Sequence, residues 1–341
     1  MFTRSYRPGT HTSAALLLAA SLVLMAGCTS QRPDPTAAPT EPIATVPTTS
    51  PTSAPVPPQI ILVAPGAADA HIAGQAELAL QDLAAGAGAE FVRQDSLPVD
   101  DPAGIILLVA VSPDPGLQSW AESHLAVQTA SLGIVGLQAT ANLSLIAPDG
   151  IRYDQLGFAL GYLAAMVTPE YRLGALALEP SPANLSLARG FVAGGTYYCG
   201  LCLHAHPPYE AYPLLLDGRG VDLAALGVTT LLVAPPLASL ADLGLSSSSG
   251  IALVGFGDPP GEIVPSWIAS ADFDLAAAIG AAWAQAQSGQ SGTTIPLGIY
   301  FHSVDSALIS EGRLRLADAL LAEMAAGRID TGVDPLTGQP R

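Results

Sequence analysis

Two cysteines and two histidines stand close together in the segment Cys199-Gly200-Leu201-Cys202-Leu203-His204-Ala205-His206. A CxxC pair can close into a disulfide, act as a thiol redox centre, or join the histidines as ligands of a metal ion. A covalently attached haem is excluded, because a leucine follows Cys202 where that motif needs histidine. Outside the cytoplasm, Cys199 and Cys202 are predicted to form a disulfide. A metal-binding or thiol redox site at Cys199/Cys202/His204/His206 is the alternative.

Carboxylate and amide side chains follow several apolar runs of strand length. Asp69 and Asn184 each precede a segment of helical character, so each is either a helix cap or a ligand contact. Asp258 precedes a pair of prolines instead of a helix, which favours a ligand contact. Such oxygen acceptors suit hydroxyl or amine donors on a small ligand. The sequence therefore predicts a binding site built from residues that follow strands.

Other kinds of chemistry are excluded by what the sequence lacks. All 12 basic residues are arginine, so mechanisms that need a lysine amine, including the P-loop, are excluded. Segment 255–261 has glycines spaced GxGxxxG and two prolines where a phosphate-binding helix would begin, so it is not a dinucleotide loop. The formal net charge of −17 argues against a nucleic acid partner. No cofactor and no catalytic residue is predicted.

The elements that position these residues follow from the hydrophobic pattern. Short apolar runs without alternation suit parallel strands covered on both faces, and Ala/Leu-rich stretches between them suit helices. The alternation predicts an α/β fold with parallel sheets, whose ligands bind beyond the carboxyl ends of the strands. Strands are predicted at 60–64, 105–111, 132–135, 143–147, 173–178, 212–216, 230–234, 251–256 and 295–299. Helices are predicted at 72–85, 118–130, 155–167 and 275–286.

The N-terminal segment has the features of a targeting signal. Arg4 and Arg7 precede the apolar segment 14–26, which is too short to span about 30 Å of hydrocarbon and is typical of a signal peptide. The sequence LMAGC ending at Cys28 resembles a bacterial lipobox, in which the cysteine is lipidated. Residues 29–58 hold nine prolines and seven threonines, which predicts an extended tether. We expect a signal peptide at 1–27, a lipidated tether at 28–58, and a body anchored on the extracytoplasmic face of the cell membrane.

Three segments occur in an order that resembles a known family. They are QLGFALGYLAA at 155–165, LGAL at 173–176 and ARGFVAG at 188–194. This order resembles the basic membrane protein family of ABC-transporter substrate-binding lipoproteins. Segment 251–258, which ends in Gly257-Asp258, and segment 266–286 resemble later parts of the same family. The likeness spans most of residues 59–300.

The resemblance implies a type I periplasmic binding protein fold, with two doubly wound parallel-sheet lobes joined by a hinge and a ligand between them. It implies lobe 1 at 59–147 and 270–293, and lobe 2 at 148–269 and 294–341. Asp258 matches the family's strand-end aspartate, and Asp69 falls near its first-loop aspartates. The usual D-x-S-F-N of that loop is replaced here by the sequence DAHIA. The predicted ligand-binding residues are therefore Asp258, Asp69, Asn184 and Gln155, with Phe256 and Trp267 as the aromatic rings that would stack on a base in place of the one lost from that loop.

These features together predict a non-enzymatic extracytoplasmic solute-binding lipoprotein of an ABC-type importer. It is expected to capture a small polar solute, with nucleosides among the candidates, by lobe closure. Its expected partners are the solute, a membrane permease and the lipid anchor at Cys28, and the protein is expected to be a monomer. A sensor subunit that uses the same fold is a further possibility.

Overall fold

The computed structural model describes residues 56–99, 102–177, 181–202, 206–217, 221–233, 250–259, 261 and 263–341. The predicted signal peptide, the lipidation site Cys28, most of the tether and His204 lie outside these residues. Within them, no helix combines the length and the apolar character that crossing a membrane requires.

A first sheet of six parallel strands is built from the N-terminal part of the chain and one short return strand. Its strand order is β11-β5-β4-β3-β1-β2, and every neighbouring pair is parallel. Non-polar residues at almost every position of the inner strands are buried, as the absence of alternation predicts. The strands are β1 (Gln59–Val63), β2 (Glu90–Gln94), β3 (Ile105–Val111), β4 (Thr129–Leu132), β5 (Leu143–Ile146) and β11 (Thr294–Ile295).

A second sheet of six strands follows, in the order β12-β10-β9-β8-β6-β7. All its neighbouring pairs are parallel except β10 and the edge strand β12, which are antiparallel. The two-lobed parallel-sheet fold predicted from the sequence is thus confirmed. The strands are β6 (Leu173–Ala177), β7 (Leu214–Asp217), β8 (Thr230–Val233), β9 (Ala252–Phe256), β10 (Trp267–Phe273) and β12 (Ile299–His302).

Several helices begin at a side-chain cap that lies in the loop after a strand. Asp69 accepts hydrogen bonds from the backbone N–H groups of His71 and Ile72, and Ser181 accepts one from Asn184. These caps fix where the first turns begin, at the carboxyl ends of the strands. The helices are α1 (Ala70–Ala87), α2 (Leu117–Ser123), α3 (Tyr153–Ala165), α4 (Pro182–Tyr198), α5 (Leu275–Ser288) and α6 (Glu311–Ala325).

Helices α3 and α4 run side by side in the same direction, at backbone contact. A Cβ atom at Gly157 would lie 1.9 Å from the carbonyl oxygen of Leu187, and one at Gly194 would lie 2.0 Å from that of Phe158. Only glycine permits this approach. Because the helices are parallel, their N-terminal ends lie together, and this brings Tyr153 close to the start of α4.

The chain passes between the two sheets three times, after β5, after β10 and after β11. Strand β10 stays in the second sheet as far as Phe273, beyond the implied boundary at 269/270. Strand β11 lies in the first sheet, beyond the implied boundary at 293/294. The predicted strand 295–299 is in fact two strands in different sheets, because the last crossing runs between them.

One predicted helix is wrong over half its length. The segment 118–130 is helical only in α2, and its end belongs to β4, where Thr129–Leu132 pairs with β3 and β5. The pattern could not separate the two states, since a short apolar run suits either a buried strand or a buried helix. Strands β2 and β10 and helix α6 were not predicted, and helix α4 was indicated only as a segment of helical character after Asn184. Both β2 and α6 carry many polar residues.

Candidate ligand-binding site between the sheets

A cavity of about 320 Å³ lies between the two sheets, where strands of both sheets end. The first lobe contributes the start of α1, and the second contributes the starts of α3 and α4 and the end of β9. A position beyond the carboxyl ends of parallel strands is the usual place for a ligand in such folds. The lining residues are Asp69, Ala70, His71, Tyr153, Ser181, Ala183, Asn184, Leu187 and Phe256.

Asp69 joins the lobes through a hydrogen bond as well as capping α1. Its Oδ1 accepts from the backbone N–H groups of His71, at 2.9 Å, and Ile72, at 3.1 Å. Its Oδ2 accepts from the hydroxyl of Tyr153, on the other lobe, at 2.8 Å. Burial, and then the charge of Asp69, raise the pKa of Tyr153 far above its ordinary value. Tyr153 therefore stays a neutral donor at all physiological pH values.

A second polar contact between the lobes lies beside the first. The Nε2 atom of His71 is 3.0 Å from Oδ2 and 3.2 Å from Oδ1 of Asp272, on β10. The carboxylate of Asp272 is only 1% exposed. It also accepts hydrogen bonds from Nε2 of Gln75, at 2.9 Å, and from the backbone N–H of Phe273, at 2.8 Å. A buried carboxylate needs such partners, because burial alone disfavours its charge.

Aromatic rings cover one side of the cavity. The ring of Phe256 lies with its centroid 4.2 Å from that of His71, 5.7 Å from Tyr153 and 6.0 Å from Phe273. Gly257 follows with φ at +77°, and a Cβ atom there would lie 2.9 Å from Cε1 of His71. The lack of a side chain at position 257 therefore leaves room for the imidazole.

The structure brings together three of the six ligand-binding residues predicted from the sequence. Asp69, Asn184 and Phe256 all line the cavity. Asp69 has a double role, since it is also a helix cap. Asn184 lies in the first turn of α4, and Ser181 supplies the cap there.

The other three predicted residues lie elsewhere. The side chain of Asp258 is 90% exposed, with Oδ1 3.6 Å from Nδ1 of His302. Trp267 is buried and donates a hydrogen bond from Nε1 to the hydroxyl of Ser270, at 2.9 Å. Gln155 lines a second cavity of about 810 Å³ that adjoins the crossings between the sheets, α5 and α6.

Sequence reasoning missed His71 and Asp272 as site residues. His71 follows β1 by a few residues, as ligand-contacting residues do in this fold, and this position is the signal that could have identified it. Asp272 lies in β10, which was not among the predicted strands. Its signal is a carboxylate inside the otherwise apolar strand sequence WIASADF, because a charge buried in a strand requires a partner.

Cys199 and Cys202 are joined by a disulfide at the C-terminal end of α4. A reactive CxxC pair normally lies at the opposite, N-terminal end of a helix, where the thiolate is stabilised. Among the described residues, no three His, Cys, Asp or Glu side chains are grouped so as to hold a metal ion. Within the part of the chain that the structure describes, which does not include His204, the geometry therefore does not favour the metal or redox alternative.

No protein-family model matches the chain, and no curated protein matches it. Among solved structures, an ABC transporter solute-binding protein from Conexibacter woesei DSM 14684 is 18% identical, with a TM-score of 0.57, and the alignment covers 80% of this chain and 98% of that one. An ABC transporter solute-binding protein from Aeropyrum pernix K1 is 15% identical, with a TM-score of 0.53 and coverage of 80% and 93%. A transcriptional activator of the comK gene from Bacillus halodurans is 12% identical, with a TM-score of 0.51 and coverage of 80% and 99%. At these identities the likeness shows the fold, which is the two-lobed α/β fold of periplasmic-binding-protein type.

Proposed function

We propose that this protein is an extracytoplasmic solute-binding protein that captures a small polar solute by closure of its two lobes. The observation that carries the proposal is the cavity between the lobes, which both lobes line and which lies where strands of both sheets end. Its volume of about 320 Å³ is at the small end of the range for ligand pockets. A metabolite-sized solute therefore fits the cavity, and a polymer does not.

Lobe closure follows from how the contacts around the cavity are distributed. The contacts that join the lobes there are polar or aromatic, and they include Tyr153 to Asp69 and His71 to Asp272. The chain also crosses between the two sheets three times. Contacts of this kind can be made and broken as the lobes rotate about a hinge.

The lining chemistry supports a solute with hydrogen-bond donors and a flat apolar part. Asp69, Ser181 and Asn184 offer oxygen atoms, and Phe256 offers a ring face for stacking. A nucleoside combines both features. The resemblance of the segments at 155–194 to the basic membrane protein family points in the same direction, as do the solved ABC transporter solute-binding proteins of the same fold.

The cellular setting is proposed from the N-terminal sequence. Lipidation of Cys28 would anchor the protein on the outer face of the cell membrane, and the proline-rich tether would hold the body away from the bilayer, within reach of an ABC permease. Incorporation of a labelled fatty acid into the full-length chain, and its loss in Cys28→Ser, tests the anchor. Incorporation that survives in Cys28→Ser would refute it.

Solute binding is tested by thermal-shift screening against nucleosides, sugars and amino acids, since a ligand selective for the folded state raises Tm. Asn184→Ala is expected to weaken the binding of any solute found by about tenfold, the effect of losing one good hydrogen bond. Asp258→Ala is the matched control, because its exposed side chain lies outside the cavity, and it is expected to bind as the wild type does. An unchanged affinity in Asn184→Ala, together with weaker solute binding in Asp258→Ala, would place the binding site at Asp258 and not in the cavity.

A further inference from the structure

The imidazole of His71 is held as a bound planar cation would be held. The ring of Phe256 packs against it in a tilted arrangement, with the ring centroids 4.2 Å apart and 54° between the ring planes. The Asp272 carboxylate faces its Nε2 atom with both oxygens, at 3.0 and 3.2 Å. Gly257 leaves space beside Cε1. An aromatic ring together with a carboxylate is a combination that binds cationic nitrogen groups.

The groups that hold this ring come from one lobe, and the ring itself comes from the other. Phe256, Gly257 and Asp272 all belong to the second sheet and its loops, whereas His71 lies on α1 of the first lobe. Gln75, one turn further along α1, donates a hydrogen bond to the same carboxylate. The second lobe therefore contains a pocket for a planar nitrogenous group, and a side chain of the first lobe enters it.

The charges around this pocket favour a cation. Asp272 is 1% exposed, so its charge depends on a close positive or hydrogen-bonding partner. The chain has no lysine, and no arginine is among the residues that line the neighbouring cavity. His71 lies between Asp272 and that cavity and is 30% exposed. Rotation of its side chain would therefore open a path from the cavity to the carboxylate.

We propose that Phe256 and Asp272 form a subsite for a planar nitrogenous cation, such as an imidazolium, guanidinium or amidinium group. The imidazole of His71 fills this subsite in the structure, and the cationic group of the solute takes its place. This inference rests on the proposed solute-binding function and names the class of solute. It makes His71 an internal competitor of the solute.

The test uses imidazole itself as the probe and His71→Ala as the protein. At about pH 5.5 imidazole is mostly cationic, whereas pyrazole, a ring of the same size, is neutral. Imidazole is expected to bind His71→Ala and raise its Tm, with an affinity at least about tenfold higher than for the wild type, whose own ring competes. Pyrazole is expected to bind at least about tenfold more weakly, because it lacks the charge that Asp272 recognises. Equal binding of the two probes, or equal binding to wild type and variant, would overturn the subsite.

Two further variants define the contribution of the carboxylate. Adding Asp272→Asn to His71→Ala is expected to lower the affinity for imidazole at least about tenfold while pyrazole binding is unchanged. His124→Ala is the matched control. His124 also packs against an aromatic ring, that of Trp120, with centroids 4.2 Å apart, and its Nδ1 contacts a backbone carbonyl oxygen instead of a carboxylate. This variant is expected to gain no affinity for imidazole. An equal gain in His124→Ala would show that any vacated aromatic face suffices and would refute the role of Asp272.

Failure of the subsite can be told apart from failure of solute binding. A wild-type protein that binds a neutral solute in the screen, together with a His71→Ala variant that ignores imidazole, would refute the subsite alone. If His71→Ala does not fold, His71→Gln keeps a hydrogen-bond donor near Asp272 while it removes the ring, and the same comparison of imidazole with pyrazole applies. Preferential binding of imidazole by that variant supports the subsite, and its absence overturns it.

Discussion

The hydrogen bond from Tyr153 to Asp69 joins the lobes beside the cavity, so the substitution Tyr153→Phe tests whether it stabilises the closed arrangement. The bond is 2.8 Å long, and the Tyr153 side chain is buried whereas Asp69 is exposed. A neutral hydrogen bond contributes about 0.5–1.5 kcal/mol net, and one to a charged group contributes more. Because water can replace the hydroxyl at the exposed carboxylate, we expect a loss of about 1 kcal/mol, which is about a fivefold fall in the ratio of closed to open molecules.

Lobe closure can be measured by energy transfer between dyes placed on exposed leucines of the two lobes, Leu78 on α1 and Leu316 on α6, each replaced by cysteine. Tyr153→Phe is expected to shift the distribution toward longer distances and to weaken solute binding by a similar factor. Tyr162→Phe is the control on the same helix, since the Tyr162 ring packs against Tyr197 and Tyr198 of its own lobe. Identical distributions for wild type and Tyr153→Phe, or an equal shift in Tyr162→Phe, would refute the reasoning.

Three further predictions concern stability. Gly194→Ala would place a Cβ atom 2.0 Å from a backbone oxygen of α3 and is expected to lower the free energy of unfolding, measured in urea, by at least about 2 kcal/mol. Gly86→Ala is the control, because the space around Gly86 is open, and it is expected to cause no loss. Equal effects of the two substitutions would contradict the close packing of α3 and α4. Asp154 is fully buried and accepts hydrogen bonds from the guanidinium of Arg152, at 2.7 and 2.8 Å, and from the hydroxyl of Thr331, at 2.6 Å. Asp154→Ala is expected to lower the free energy of unfolding by about 3 kcal/mol, because it leaves the half-buried guanidinium of Arg152 without its partner. A loss below about 1 kcal/mol would contradict this. Burial raises the pKa of Tyr171 to about 12, so its neutral phenol stabilises the fold below about pH 10, and that contribution is lost as the pH rises toward 12. Tyr171→Phe is therefore expected to flatten the alkaline decline in the free energy of unfolding. An unchanged decline in the variant would assign the pH dependence to other groups.

The architecture could be predicted from the sequence because most strands can be recognised from their own residues. Runs such as Ile105–Val111 have no polar residue to face solvent and are rich in Ile and Val, which favours a strand covered on both faces. Where a run is short, neighbours in space decide its state. Thr129–Leu132 is a strand because β3 and β5 flank it, and no local pattern contains that information.

Only part of the site was predictable, for a related reason. Asp69 and Asn184 were found because each follows a strand and Phe256 because it ends one, and a position at or after the end of a strand is a local property. His71 and Asp272 were not found, because they are 201 positions apart in the sequence and come into contact only in the folded chain. Asp258 follows a strand as well, yet its side chain faces solvent. The rule identifies the correct edge of the sheet, but it does not give the direction in which a side chain points.

The backbone contact between α3 and α4 limits how this protein could acquire a new ligand. With each helix seated against the carbonyl oxygens of the other, neither can slide or tilt without a steric clash. The starts of both helices therefore form a fixed frame at one wall of the cavity. Descendants that keep this frame would change their ligand preference by exchanging side chains at positions 153, 181 and 184. A change in the shape of the wall itself would first require replacing the glycines at which α3 and α4 touch.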